Sequence, residues 1–280
     1  MTKYSFIYPI RNRCNLLKRG LESLRALNYD KDLFEVIIAD YMSEDNIIEI
    51  IHQFRGELNI KYLCIDFRRY KYHKLYFKAG KCNPCLAQNI ASRSSSGEYL
   101  ILTSPEIIHY RENLKILDSI ENLSNKFIYG RVIEKSEESV FGINYPFSEI
   151  NKMDSPLVLC DWETKVKSVT QYFIGVIPKK IYMNYGGIDE YYMTGIAYED
   201  EDFGNRMNNI DNFELLYDKR ICGIHLIHDR SYQDPATIES NRIYMEEKKN
   251  KGWKNSLIAN KDIKFGDFDC LIEKTQMWRY

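Results

Sequence analysis

Two short apolar runs, Tyr4 to Ile10 (YSFIYPI) and Phe34 to Ala39 (FEVIIA), are rich in aromatic and β-branched residues and do not alternate with polar ones. Runs of this kind are strands buried on both faces. Leu16, Leu17, Leu21 and Leu24 recur at helical spacing after the first, and an isoleucine-rich helix from Asn46 to Phe54 follows the second. Strand, helix, strand, helix is the signature of a parallel sheet, because parallel neighbours are joined by crossovers. The expected fold class is therefore α/β, with a mostly parallel central sheet flanked by helices. Ligands of such sheets lie beyond the carboxyl ends of the strands, where Arg11, Asn12 and Asp40 fall after a first strand that ends near Pro9.

Further along, Ile60 to Phe67 is a weaker strand, and Arg68 to Lys81 sets basic residues among tyrosines. That stretch is either a solvated loop or a positive wall near a diphosphate; a nucleic-acid track is the weaker reading, because Lys+Arg at 39 balance Asp+Glu at 40. Leu86 to Ala91 is a short helix carrying Asn89, and Tyr99 to Leu102 is a strand ending in Thr103-Ser104-Pro105-Glu106. Proline stops the ladder and delivers Glu106 into a loop, where a hard carboxylate either ligates Mg²⁺ or Mn²⁺ or caps a helix expected from Ile107 to Leu123. Strands are expected at Phe127 to Glu134, Val158 to Trp162, Val169 to Pro178, Phe213 to Leu216 and Ile221 to Ile227, with residues 135–154 a polar insertion. His225 and His228 flank the end of the last, and either is a metal ligand if a carboxylate lies close. Ala236 to Lys251 reads as a charged helix, and the tail beyond it carries Trp253, Phe265, Phe268 and Trp278.

Between Asn184 and Met207 the chain reads NYGGIDEYYMTGIAYEDEDFGNRM. Glu199, Asp200, Glu201 and Asp202 repel one another. They suit the first turn of a helix, where the macrodipole favours negative charge, and equally suit a site that needs a carboxylate tuned for proton abstraction.

The string GGIDE…YEDEDFGNRM resembles the acceptor-side segment of the GT-A nucleotide-sugar glycosyltransferases, family 2 in particular. The opening SFIYPIRNRCNLLKRGLESL, FEVIIADYMSED, LAQNIASRSSSGEYLILTSPE and the end HLIHDR are similar to further segments of that family in the same order, over roughly residues 3–230. The resemblance implies a GT-A (Rossmann-like) domain over 1–232 and a helical, aromatic tail over 233–280 that packs on it or on a partner chain. It implies an inverting hexosyltransferase that moves a sugar from a nucleoside-diphosphate sugar, UDP above all, to a hydroxyl of a glycan or other acceptor. Asp200 would be the base, with Glu199 beside it. The donor nucleotide would lie on Pro9, Arg11, Asn12, Asp40, Lys81, Asn89 and Ser104, with Asp40 on the base. Trp162, Tyr185 and Gly187 would face the sugar or acceptor. Glu106, His225 and His228 would hold Mn²⁺ or Mg²⁺. Here the sequence departs from the pattern: Ser104-Pro105-Glu106 stands where the family has Asp-x-Asp, and Tyr41 replaces a second aspartate after Asp40.

Two alternatives stay open: a non-catalytic nucleotide-sugar or glycan-binding module, and a nucleotidyltransferase, which would be expected to carry a glycine-rich phosphate loop that RNRCNLLKRG lacks. The start MTKYSFIYPIRNR has no apolar core of a signal peptide and no apolar run reaches the ~18 residues of a membrane span, so a cytoplasmic location, free or peripheral at a membrane, is expected. Seven cysteines, an odd number, agree with a reducing compartment, and Cys82 with Cys85 is a single CxxC without a second pair at zinc spacing.

Overall fold

The computed structural model describes residues 1–69, 84–140, 158–160, 173–229, 235–272 and 276–278; Lys81, Cys82 and Trp162 lie outside them. The first unit is β1 (Tyr4–Ile10), α1 (Cys14–Arg25), β2 (Phe34–Asp40), α2 (Ile47–His52) and β3 (Ile60–Cys64), followed by α3 (Cys85–Ser94) and β4 (Tyr99–Leu102). These four strands are mutually parallel in the order β3-β2-β1-β4. The α/β reading of the N-terminal half is thus the observed architecture. Along β1, Tyr4, Phe6, Tyr8 and Ile10 enter the core on one face and Ile7 the core on the other, so the strand has no solvent face and needs no polar alternation.

The second half adds β5 (Ile107–His109), α4 (Asn113–Asp118), β6 (Lys126–Lys135), β7 (Val158–Cys160), β8 (Gly175–Pro178), α5 (Lys179–Asn184), α6 (Glu199–Met207), β9 (Glu214–Leu226), α7 (Pro235–Lys251) and β10 (Gln276–Trp278). β8 enters antiparallel between β4 and β6, β6 and β9 run parallel, and β5 closes that end antiparallel to β9. Two local expectations fail. The helix expected from Ile107 to Leu123 begins instead as β5, because the buried pair Ile107-Ile108 fills a strand slot beside β9 before the short α4 starts. The two strands expected from Phe213 to Ile227 are the single β9. Its register against β6 jumps from Gly130↔Asp218 to Arg131↔Cys222, so residues 219–221 bulge out and break the apolar pattern that the sequence displays.

The parallel block fixes where a ligand can sit. β1, β2 and β4 end at one edge, and α3, the crossover into β4, must start there. Residues after α7 return to the sheet: β10 pairs with β3, and the amide of Asp66 donates to the carbonyl of Cys270 at 2.8 Å. Among the described residues, no helix is long and apolar enough to cross a membrane.

Candidate active site

At the end of β4, the backbone turns over Ser104 to Ile107, whose amide donates to Ser104 O at 3.2 Å. α1 lies directly on this turn: a Cβ on Gly20 would be 2.5 Å from the carbonyl oxygen of Pro105, so only glycine admits the approach. The close contact brings Arg13, at the start of α1, over Glu106. From the other side the β5–β9 register sets His225 opposite Ile107, next to Glu106. The result is a compact buried cluster. Arg13 Nη1 donates to Glu106 Oε1 at 2.7 Å, His228 Nε2 lies 3.4 Å and His225 Nε2 3.7 Å from the same oxygen, and Arg13 Nη1 is 3.4 Å from His228 Nε2. Burial alone would raise the Glu106 carboxyl, but its contacts with His225 and His228 and the charge of Arg13 outweigh that and hold it well below the usual range.

Glu106, His225 and His228 present one ligand atom each within 4.8 Å of one another. Glu106 Oε2 and Ser104 Oγ are buried with no hydrogen-bond partner. A buried oxygen without a partner marks a site whose polar groups are not all satisfied by the protein, and one carboxylate with two imidazoles gathered at its Oε1 is a competent donor set for a divalent metal.

The loops after β1 and β2 are laced together. Asn12 (φ 51°) donates its amide to Ser43 Oγ and accepts from the amide of Glu44 through Oδ1, both at 2.8 Å. Asp40 is 1% exposed, and its carboxylate takes bonds from the Ser43 amide (3.0 Å), the Ser43 hydroxyl and the Tyr62 hydroxyl (2.7 Å). Burial raises the Asp40 carboxyl despite these bonds. The structure thus puts Asp40 inside the loop it orders. Tyr41, where the family has an acid, accepts the amide of Ala87 at 2.8 Å and so satisfies an orphan donor in the first turn of α3. Pro9 sits beyond the last β4 partner of β1, Leu102 opposite Ile7, where a missing N–H costs that pairing nothing. Arg11 is half-buried on the same turn.

α6 carries the acidic run. Ala197 (φ 66°) and Tyr198 (φ 71°) are both left-handed immediately before Glu199, a strained pair of non-glycine residues. Asn241 of α7, fully buried, holds this turn by donating to Tyr192 O and Ala197 O, each at 2.9 Å. Behind it lies a buried charge network. Arg206 Nε donates to Asp202 Oδ2 at 2.7 Å, and its other nitrogens reach the carbonyls of Gly187 (2.7 Å), Tyr185 (3.1 Å) and Leu257 (3.2 Å). Lys248 of α7 pairs with Asp189 at 2.9 Å and with Asp202. Asp202 is therefore structural, which leaves Glu199 and Asp200 at the outer rim of the helix start. Asp200 keeps part of its surface open, yet crowding desolvates its carboxyl and the neighbouring Glu199 adds repulsion. Together they push it up to about 8. Phe203 and Met207 of α6 pack in the same core as Cys85 and Leu86 of α3, and the Cys85 thiol is raised by its burial first and by Glu199 after it.

Three assigned residues serve the interior. Asn89 is fully buried: it donates to Ile188 O (2.8 Å) and Glu190 Oε1 (2.9 Å) and accepts from the Tyr182 hydroxyl (2.6 Å), so it ties α3 to the segment before α6. Gly187 (φ 64°) is buried, and a Cβ there would be 2.4 Å from Asn89 Oδ1, so the glycine permits this close packing. Tyr185 packs against the core and offers its carbonyl to Arg206. Sequence reasoning passed over Arg13, Asn241 and Lys248. Arg13 had a signal, since RNR holds two arginines at the right loop and only the backbone decides which turns inward.

Residues 5–141 match the family model of Glycosyl transferase family 2. The matched stretch is just under half of the 280-residue chain and is similar to family 2 glycosyltransferases, and the sheet described above is that of a GT-A fold. Among curated proteins it is similar to the poly(ribitol-phosphate) beta-N-acetylglucosaminyltransferase TarS of Staphylococcus aureus strains Mu50 and MW2, each 27% identical over 115 residues, covering 41% of this chain and 18% of the relative. The chain thus spans about a fifth of those relatives' length. Among solved structures, S. aureus TarS 1-349 in complex with UDP-GlcNAc superposes with a TM-score of 0.62 at 16% identity, over 87% of this chain and 65% of that one. The mannosyltransferase PcManGT of Pyrobaculum calidifontis, in complex with GDP-Man and Mn²⁺, gives 0.55 at 13% identity, over 91% and 72%.

Proposed function

We propose that the protein is an inverting glycosyltransferase that takes a sugar from a nucleoside-diphosphate sugar, UDP-linked in the first instance, and passes it to a hydroxyl of a glycan or glycoconjugate. The observation that supports this reading most is the cation-seeking cluster of Glu106, His225 and His228 at the end of β4, and a second support is the carboxyl of Asp200, raised into the range of a working base. The match of residues 5–141 to family 2 glycosyltransferases and the UDP-GlcNAc complex of a similar fold support it.

In a single displacement the acceptor oxygen bonds to the anomeric carbon as the bond to the diphosphate breaks, so the sugar inverts. Asp200 takes the acceptor proton as that bond forms. The strained turn at Ala197-Tyr198, fixed by Asn241, aims it. Glu106, His225 and His228 would hold a divalent cation, whose charge neutralises the departing diphosphate. Two imidazoles among three donors favour Mn²⁺ over Mg²⁺, which prefers oxygen. Ser104, Arg11 and Asn12 line the strand ends where the nucleotide would lie, while Asp40 supports that floor from within.

Hydrolysis or transfer measured over a panel of nucleotide sugars, with and without Mn²⁺, tests the assignment; binding without turnover for every donor would leave a sugar-binding module. The pH profile tests the base. Only ionised Asp200 accepts a proton, so kcat/KM is expected to fall as pH drops through a limb near 8, the value of the free enzyme. A flat profile from pH 6 to 9 would remove Asp200 from that role.

A further inference from the structure

Arg13 stands where a metal would. Its Nη1 is 2.7 Å from Glu106 Oε1, the carboxylate oxygen that both imidazole Nε2 atoms approach, and 3.4 Å from His228 Nε2. A small divalent cation sits at about 2.1 Å from its oxygen ligands. An ion held by Glu106 Oε1 and His228 Nε2 would lie between two atoms that are 3.4 Å apart and that the guanidinium nitrogen already contacts at 2.7 and 3.4 Å. The two cannot be present together on grounds of space, and two like charges in a buried site would repel strongly.

The pairing is also what makes Glu106 tolerable without a metal. Its side chain is 6% exposed, and a buried carboxylate stripped of its counter-charge is strongly destabilising. The Arg13 side chain is 24% exposed, four times more, and belongs to the residue just before α1, so it has an outward path that Glu106 lacks.

We propose that Arg13 is the resident counter-cation of the Glu106–His225–His228 site and that it and a divalent metal bind there in mutual exclusion. The inference rests on the metal site put forward above. Metal entry then requires Arg13 to leave Glu106, so the protein alone binds metal weakly. A diphosphate, which a guanidinium grips through two parallel hydrogen bonds, provides the released side chain with a new partner in the same pocket. Arg13 is thus a positioning residue for the metal, and the arginine sets the order of events: donor and metal arrive together or not at all.

The test is a titration of Mn²⁺ alone against the intact protein, followed by loss of the free-ion paramagnetic resonance signal. Arg13→Met keeps the stem and removes the charge; it is expected to bind Mn²⁺ roughly tenfold tighter or more than the parent. Arg13→Lys, which keeps a cation, is expected to stay within about threefold of the parent. Because Arg13→Met leaves Glu106 uncompensated, its Tm is expected to fall without metal and to recover with Mn²⁺ by a larger shift than the parent shows. That readout works even if the variant folds only with the ion present. Equal Mn²⁺ affinity in the parent and Arg13→Met overturns the exclusion while leaving the metal site standing. No binding to either, with Glu106→Gln indistinguishable from both, overturns the metal site and the exclusion with it.

Discussion

Asp200→Asn is expected to lower kcat by roughly 10³-fold, within the range for removal of a general base, and to leave the binding of nucleoside diphosphate unchanged. Asparagine keeps the shape of the side chain and can still accept the Glu201 amide, which bonds Asp200 Oδ1 at 2.8 Å, so the start of α6 persists. What vanishes is the proton acceptor. The physical setting adds a second expectation that a merely structural residue would not meet. The Asp200 carboxyl is raised by its desolvation and by Glu199, which means that its charge is held at a cost. Neutralising it should therefore leave thermal stability unchanged or raise it while turnover collapses. A variant that kept more than about a tenth of parental kcat, or that lost activity and stability in parallel, would move the base elsewhere.

Arg206→Met is expected to destabilise the protein by about 3–5 kcal/mol, the range for breaking one side of a buried pair, read as a lower midpoint in urea unfolding. Arg206 is fully buried and binds Asp202 and three carbonyls drawn from Tyr185, Gly187 and Leu257. Methionine fills much of the volume but takes the guanidinium donors from Asp202 and from the Gly187 and Leu257 carbonyls, while the Tyr185 carbonyl keeps the Ala259 amide and Asp202 keeps Lys248. Against a net stability of about 5–15 kcal/mol for a whole domain, this is a large fraction. A loss under about 1 kcal/mol would show that water reaches the network and that α6 is held by apolar packing of Phe203 and Met207 alone. Lys248→Met should couple with Arg206→Met and not add to it, since both act on Asp202.

The sequence displayed some of this and hid the rest for definite reasons. β1, α1, β2 and α2 were legible because parallel strands buried on two faces are unbroken apolar runs and their helices show leucine and isoleucine at helical spacing. Ile107-Ile108 was not: two apolar residues cannot separate a short strand from a helix start. In β9 the bulge at residues 219–221 disguised one strand as two. At the site, Glu106, His225 and His228 were visible as residue types near strand ends, and the β5–β9 register, which no local pattern encodes, brings them together. Asn89, Gly187 and Asp40 sit in the segments that the family resemblance marks, yet their polar atoms and space are spent on holding those segments together. Arg13 lies in the same turn as Arg11, and the approach of α1 to Pro105 is what turns it inward. Asn241 and Lys248 lie in a helix whose sequence shows only charge; their partners Ala197, Asp189 and Asp202 are far away in the chain, and buried long-range pairing leaves no trace at either end.

The proposed function requires one arrangement: the Glu106 cluster and Asp200 must open on the same donor pocket at the carboxyl edge of β1, β2 and β4. Anomalous X-ray scattering at the manganese edge, from crystals grown with UDP and Mn²⁺, tests it most directly. The account predicts a single strong peak within bonding distance of Glu106 and an imidazole of His225 or His228, Arg13 turned off Glu106 onto the diphosphate, and Asp200 facing the end of the diphosphate where the sugar is attached. A metal and nucleotide bound away from Glu106, or an Asp200 carboxyl facing the opposite side of the sheet from the diphosphate, would contradict it.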